Sequence, residues 1–257
     1  MRIAISALLL LPAAAFASSL FDGTWKTRMA SMKTTGKPEA FAIADGIYTC
    51  ASCVPQIRVK ADGTDQKVSG HAYYDTVAVK VLSPTSVQIS STKAGRQIGM
   101  VTYTVSADGA TLSGKFVDNS GTKTATGTFV ETRVAAGPSG SHPISGSWQP
   151  GAMTDANDAT RTMIYAMTAD GFSMHWNGQS YHAKFDGRLY PIVGDPGHTK
   201  VTLRKIDDNT VEETDYRMGK VTDEIRLVAS KDGKTIEITD KDVQHGQTMT
   251  FTLDKQP

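Results

Sequence analysis

The chain aligns with itself. The stretch "ADGTDQKVSGHAYYDTVAVKVLSPTSVQI" from Ala61 lies over "FDGRLYPIVGDPGHTKVTLRKIDDNTVEE" from Phe185 at a constant offset of about 124 residues. The register continues without a gap as "KAGRQIGMVTYTVSADGATL" meets "RMGKVTDEIRLVASKDGKTI". Asp62 thereby pairs with Asp186, Gly70 with Gly194, Val77 with Val201, Gly95 with Gly219, and Asp108-Gly109 with Asp232-Gly233. "FDGTW" (Phe21 to Trp25) and "ISGSW" (Ile144 to Trp148) open the copies. Solenoid repeats run about 20–50 residues, so a period this long means a duplicated domain. Between the copies "AAGPSGSHP", Ala135 to Pro143, has the Gly, Ser and Pro content of a linker. The expected division is a signal peptide at 1–17, a first β domain at 18–136, a linker at 137–143 and a second β domain at 144–257.

Each copy carries the period of two that strands with unlike faces require. "TKVTLRKI" alternates Val201, Leu203 and Lys205 with Thr202, Arg204 and Ile206. Turn residues punctuate these runs: "DDNT" at Asp207, "MGK" at Met218, "KDGK" at Lys231 and "HGQ" at His245, with "SPTS" at Ser83, "AGR" at Ala94 and "ADGA" at Ala107 in the first copy. No stretch shows a sustained helical stripe, although "KTTGKPEAFAIADG" has room for a short turn of helix. The expected fold is all-β: two tandem antiparallel β-barrel-like domains of roughly eight short strands each, closed or nearly so, which removes edges that invite aggregation.

The N-terminus addresses the chain. "MRIAISALLLLPAAAFASS" has a basic start at Arg2, an apolar run from Ile3 to Leu11, and small residues at Ala15 and Ala17. That is the pattern of a secretory signal peptide cut after Ala17, and the run falls short of the ~20 residues a spanning helix needs. The expected destination is periplasmic or secreted, without a membrane span. A net charge of +1 with scattered charges gives no basic patch for nucleic acid or anionic lipid.

Both cysteines sit in "YTCASCVPQIRV", as Cys50 and Cys53. A redox Cys-x-x-Cys needs a strand-to-helix turn that lowers one thiol's pKa, and strand-like residues follow here. Structural zinc needs two further ligands nearby, and His71 stands alone. An exported chain is therefore expected to close a local disulfide, with modest stabilisation because the loop is short. The second copy places "MHWN", Met174 to Asn177, there instead.

Gly23-Thr24-Trp25 and Gly146-Ser147-Trp148, with Arg133 in "FVETRV" and Lys255 in "FTLDKQ" near the ends of the copies, resemble the lipocalin-like (calycin) barrels. In that family a Gly-x-Trp on the first strand meets a basic residue on the last. Thr214-Asp215-Tyr216 is similar to a second lipocalin motif, although the first copy has Ser90-Ser91-Thr92 in that place. More broadly, the copies resemble exported bacterial lipocalin-like domains of uncharacterised function. The resemblance implies cation–π pairing among Trp25, Arg133, Trp148 and Lys255, each copy closing on its own pair, and barrels that hold a small hydrophobic molecule.

Candidate linings for such a ligand are Tyr48, Tyr73 and Tyr74 in the first copy and Trp176, Tyr181 and Tyr190 in the second. The competing role for these aromatics is core or cross-strand packing. Met163, Met167, Met174, His175, His182 and His198 raise the thought of metal, but methionines in β domains are mostly core filler, so no metal is expected. Glu212 and Glu213 face opposite ways as strand neighbours, and with Asp215 they are expected on a solvated face. Asp62-Gly63 and Asp186-Gly187 are expected to form hairpin turns. No Gly-x-Ser-x-Gly elbow or phosphate-cradling loop is present, so no catalytic residue and no cofactor are expected. The function expected is non-enzymatic binding of a small hydrophobic molecule. The alternatives are an envelope interaction module without a ligand, or an enzyme whose groups converge from loops.

Overall fold

A computed structural model describes residues 19–257; the cut after Ala17 lies outside the described residues. The first half of the chain holds β1 (Gly23–Thr27), a 3-10 turn (Met29–Ser31), β2 (Lys33–Gly36), β3 (Glu39–Ala44), β4 (Ile47–Cys50), β5 (Ile57–Lys60), β6 (Gln66–Lys67), β7 (Thr76–Ser83), β8 (Ser86–Lys93), β9 (Arg96–Val105), β10 (Thr111–Asp118) and β11 (Ala125–Ala136). The second holds β12 (Gly146–Ala156), α1 (Asp158–Arg161), β13 (Thr162–Met167), β14 (Gly171–Trp176), β15 (Gln179–Lys184), β16 (Tyr190–Pro191), β17 (Lys200–Asp207), β18 (Thr210–Arg217), β19 (Lys220–Ala229), β20 (Thr235–Asp242) and β21 (Gln247–Lys255). The region from Lys33 to Gly46 is strand rather than helix, because Phe41 and Ile43 alternate into a core. No helix among the described residues is long and apolar enough to cross a membrane.

The strands form two antiparallel, nearly closed barrels. One sheet runs β5-β4-β3-β12-β11-β10-β9-β8-β7-β6, and the other β15-β14-β13-β1-β21-β20-β19-β18-β17-β16 with β2 attached to β21. Backbone bonds narrow each seam: Gly63 N–H to Val79 O at 2.8 Å in the first barrel, and Val193 N–H to Ser180 O at 2.8 Å in the second.

The opening strands are exchanged. β1 lies between β13 and β21, and β12 lies between β3 and β11, so each copy lends its Gly-x-Trp strand to the other copy's barrel. Residues 137–143 therefore join two neighbouring strands of one barrel. The chain passes between barrels at Lys37-Pro38 and again through α1.

The exchange also corrects the pairing of tryptophans and cations within copies. Arg133 stacks over Trp148 at 3.9 Å, and Lys255 Nζ lies 5.4 Å from the Trp25 ring centre. Each indole is fully buried and donates to the carbonyl four residues back, Trp25 to Phe21 at 2.8 Å and Trp148 to Ile144 at 2.9 Å. The glycine two residues before each Trp leaves passage for its cation. At Gly146 (φ 149°) an added Cβ would stand 2.7 Å from Arg133 Nη1, and at Gly23 (φ 133°) 3.1 Å from Lys255 Cε.

Each barrel has its own core, around Trp148, Leu112, Val79 and Val87 in the first and Trp25, Phe172, Leu227 and Leu253 in the second. Between them, Arg217 lies 5.1 Å from the Tyr73 ring centre and Lys93 Nζ donates to Pro196 O at 2.7 Å. Asp62 Oδ1 and Asp186 Oδ1 accept from the amides of Thr64 and Arg188, so the two Asp-Gly pairs form turns as the composition predicts. They are not hairpins, because β5 pairs with β4 whereas β6 pairs with β7.

Candidate functional site

The duplication makes the barrel interiors comparable position by position. Val79 faces Ile89 across β7–β8 as Leu203 faces Glu213 across β17–β18. Ser91 faces Gly99 as Asp215 faces Asp223, and Phe116 faces Val101 as Asp240 faces Ile225. The ladders coincide at the sequence offset, and the inward side chains do not.

In the first barrel the lower interior is packed by Val79, Val87, Val105 and Leu112, whereas the upper interior is left open by Ser91 and Gly99. The result is a cavity of about 380 Å³ lined by Phe41, Tyr48, Ile57, Ile89, Val101, Tyr103 and Phe116, with Glu39 and Asp118 as acidic groups. That volume is within the range of small-molecule sites. Its aromatic wall is continuous: the Phe41 ring centre lies 6.3 Å from Tyr48 and 5.5 Å from Tyr103. Cys50 and Cys53 form a disulfide at the rim, with Cα atoms 5.4 Å apart. Tyr74, stacked on His71 at 4.6 Å, stands beside it.

Three carboxyl groups belong to this interior, Asp118 lying on the cavity wall in step with Phe116. Glu39 is half-buried on the cavity wall. Glu131 is 3% exposed, and its Oε2 has no hydrogen-bond partner among the described residues. Burial pushes the Glu131 carboxyl up to about 8, and the neighbouring Glu39 adds to the effect. Burial also raises Glu39, offset in part by His245. Tyr48 and Tyr103 are held well above the phenol range, by burial first and by Glu39 second.

His245 comes from the β20–β21 turn of the other barrel. With Glu39, Ser52, Asp242 and Gln247 it lines a second cavity of about 290 Å³ that shares Glu39 and the disulfide with the first. Its Nδ1 lies 2.6 Å from Asp242 Oδ2, a bond that raises the imidazole's pKa. A paired His and Asp with a serine nearby is part of a nucleophilic constellation. Here Ser52 Oγ instead accepts from the Ala40 amide at 3.0 Å, and no hydroxyl bonds to the imidazole among the described residues.

At the positions that line the first cavity, the second barrel carries acids. Tyr181 donates to Glu213, which is buried beside Asp215; Asp223 pairs with Arg217 at 2.6 Å. Asp215 Oδ1 and Asp240 Oδ1 are buried without partners among the described residues. Burial pushes Glu213 and Asp215 up, the charge of Glu213 adding to Asp215, and it takes Asp240 to about 7 with help from Asp223 and Asp215. The expectation of a solvated face thus holds for Glu212, which meets Arg204 and Arg226 outside, and fails for Glu213 and Asp215. Alternation from Val211 carries both of these inward.

Of the candidate linings, Tyr48 and Tyr74 border the first cavity. Tyr73 turns to the barrel interface, 3.4 Å from Thr199 Oγ1. Tyr181 is interior but bonded to Glu213, Trp176 donates to Thr160 O at 3.0 Å and lines a separate cavity of about 510 Å³, and Tyr190 donates to Asp186 at 2.9 Å. Met163, Met167 and Met174 pack against the second core, whereas His175, His182 and His198 are exposed. Among the described residues no group of three or more His, Cys, Asp or Glu is placed to hold a metal ion. Glu39, Tyr103 and Glu131 were not among the expected site residues. The signal for them is phase: Glu39 is in step with Phe41 and Ile43, and Glu131 with Phe129.

Compared with family models, curated proteins and solved structures, the chain has no match.

Proposed function

We propose that this chain is an exported, lipocalin-like binding protein that takes a small hydrophobic molecule into its first barrel and turns nothing over. The observation that carries this reading is the 380 Å³ aromatic-walled cavity of the first barrel; at the equivalent positions the second barrel carries Glu213, Asp215 and Asp240 instead. Burying a few hundred Å² of apolar ligand surface at ~25 cal/mol per Å² leaves micromolar affinity once association costs are met. The secretory-type N-terminus and the disulfide support a periplasmic or secreted location, and N-terminal sequencing of protein from the exporting cell should begin at Ser18.

The binding test uses N-phenyl-1-naphthylamine, whose fluorescence rises in apolar surroundings. One molecule should bind per chain. Writing the second barrel's acids into the first (Ile89→Glu with Ser91→Asp) should weaken binding about tenfold or more. Two equivalent sites, or an unaffected double variant, would refute the assignment to the first barrel.

A further inference from the structure

An apolar cavity that carries a carboxyl group has a preference among apolar ligands. We propose that the first barrel selects an apolar organic ammonium ion, its charged nitrogen held by Glu39 among the rings of Phe41, Tyr48 and Tyr103, with Glu131 behind them. This deepens the binding reading and rests on it.

Three observations converge. Glu39 and Asp118 are the carboxyl groups on the wall of a cavity built mostly from apolar and aromatic side chains, so the cavity is acidic and carries no Lys, Arg or His. Glu131 is 3% exposed and its Oε2 has no partner among the described residues, so a buried carboxyl lacks the counter-charge or donor that such groups normally have. Sharing the wall with Glu39 are the mutually packed Phe41, Tyr48 and Tyr103, whose faces attract a cation. The barrel's own cation does not serve them: Arg133 is held over Trp148 and donates to Ser145 O and Pro143 O, each at 2.7 Å.

The groups facing Glu39 set the pH dependence. They are Tyr48, Tyr103 and Glu131 inside the barrel, with Tyr74 and Asp118 on the same cavity wall, and His245 and Asp242 across the adjoining cavity. Without ligand, burial keeps Glu131 largely protonated at neutral pH. An ammonium ion favours the carboxylate form, so binding releases a proton. His245 loses its competing positive charge as pH rises, which acts in the same direction. Affinity should therefore climb between pH 6 and 8, by up to about tenfold per unit for one linked proton.

Isothermal titration of the mature chain with n-octylamine, 1-octanol and octanoate separates charge from chain. The amine should bind about tenfold or more tighter than the alcohol, with octanoate weakest. Its affinity should rise with pH, and one proton should be released, seen in buffers of different ionisation enthalpy. Glu39→Gln and Glu131→Gln should each remove most of the amine's advantage while leaving octanol within about twofold. The wild-type pH trend needs no variant, so it decides the matter even if a substitution disturbs folding. Octanol binding as well as the amine, or an amine affinity flat or falling with pH, would overturn this inference alone. Failure of all three probes to bind would overturn it together with the carrier reading.

Discussion

Two barrels built on one ladder of strand registers hold unlike interiors. Where the first has Ile89, Ser91, Gly99 and Phe116, the second has Glu213, Asp215, Asp223 and Asp240, and where the first has Glu39, the second has Met163. At these positions the second barrel gains four acids for the one it lacks. In the first barrel Glu39 borders open space at the rim; in the second, acids and Tyr181 close the interior on one another. Backbone geometry is thus indifferent to which of these a barrel contains, since a strand presents its inward positions whatever fills them. The binding reading depends on side-chain volume at a few such positions, and the scaffold around them is the same.

The largest effect should come from Trp148→Ala. Removing a fully buried indole costs about 3–5 kcal/mol, and Arg133 loses its stacking partner as well. Because β12 lies in the first barrel, amide exchange should accelerate in β3 and β11 and stay slow in β13 and β21. Trp25→Ala should give the reverse pattern. Loss of protection in the barrel of the mutated copy's own sequence would disprove the exchange.

Comparable in size is the response to pH. Glu131 and Asp240 have folded pKa values of about 8 and 7, above the usual carboxylate range, so between pH 5 and 8 the folded state holds protons that the unfolded chain has given up. Stability from such groups is full below their unfolded pKa and is lost as pH rises through the folded one. His245, also raised, acts in the same sense over its own range. Stability to urea should thus fall from pH 5 to 8 by on the order of 5 kcal/mol. Asp240→Asn should flatten the fall in the second barrel and Glu131→Gln in the first. A rise over that range would contradict the buried-acid account of both interiors.

The smallest effect separates the barrels by their one covalent difference. Replacing Cys50 and Cys53 by Ser opens a loop of sequence separation 3, at a cost on the order of 1–2 kcal/mol confined to the first barrel. Thiol labelling before reduction should detect no free thiol. A free thiol in the oxidised protein, or a shift in the second barrel's melting, would argue against a local staple.

Much of this was legible beforehand. Alternation in "TKVTLRKI" and its relatives located the strands, and small residues with Asp-Gly located many turns. The Gly-x-Trp openings and late cations marked the four side chains that close the barrels, though not which meets which. The candidate site was less legible. Tyr48 and Tyr74 came from composition, whereas Glu39 and Glu131 were overlooked because a glutamate in a strand ordinarily faces water, and only phase against Phe41 and Phe129 argues otherwise. Tyr73 and Trp176 line other cavities than this one, and Tyr190 bonds to Asp186, because an aromatic's sequence neighbours do not say which surface will meet it.

By itself, the sequence determined that the chain is duplicated, that each copy makes antiparallel strands with one apolar face, and that two cysteines three positions apart can reach each other. These are local properties, set by periodicity, turn chemistry and chain reach. Tertiary structure decided which barrel receives each opening strand. The two strands descend from one pattern and suit either place, so local sequence does not discriminate between them. The short connection from Ala136 to Gly146 favours pairing β12 directly with β11, since a short loop is the less costly one to close. It also formed the first barrel's cavity, because a void is the sum of side-chain volumes brought together from strands far apart in the chain, and no single stretch of residues contains that sum.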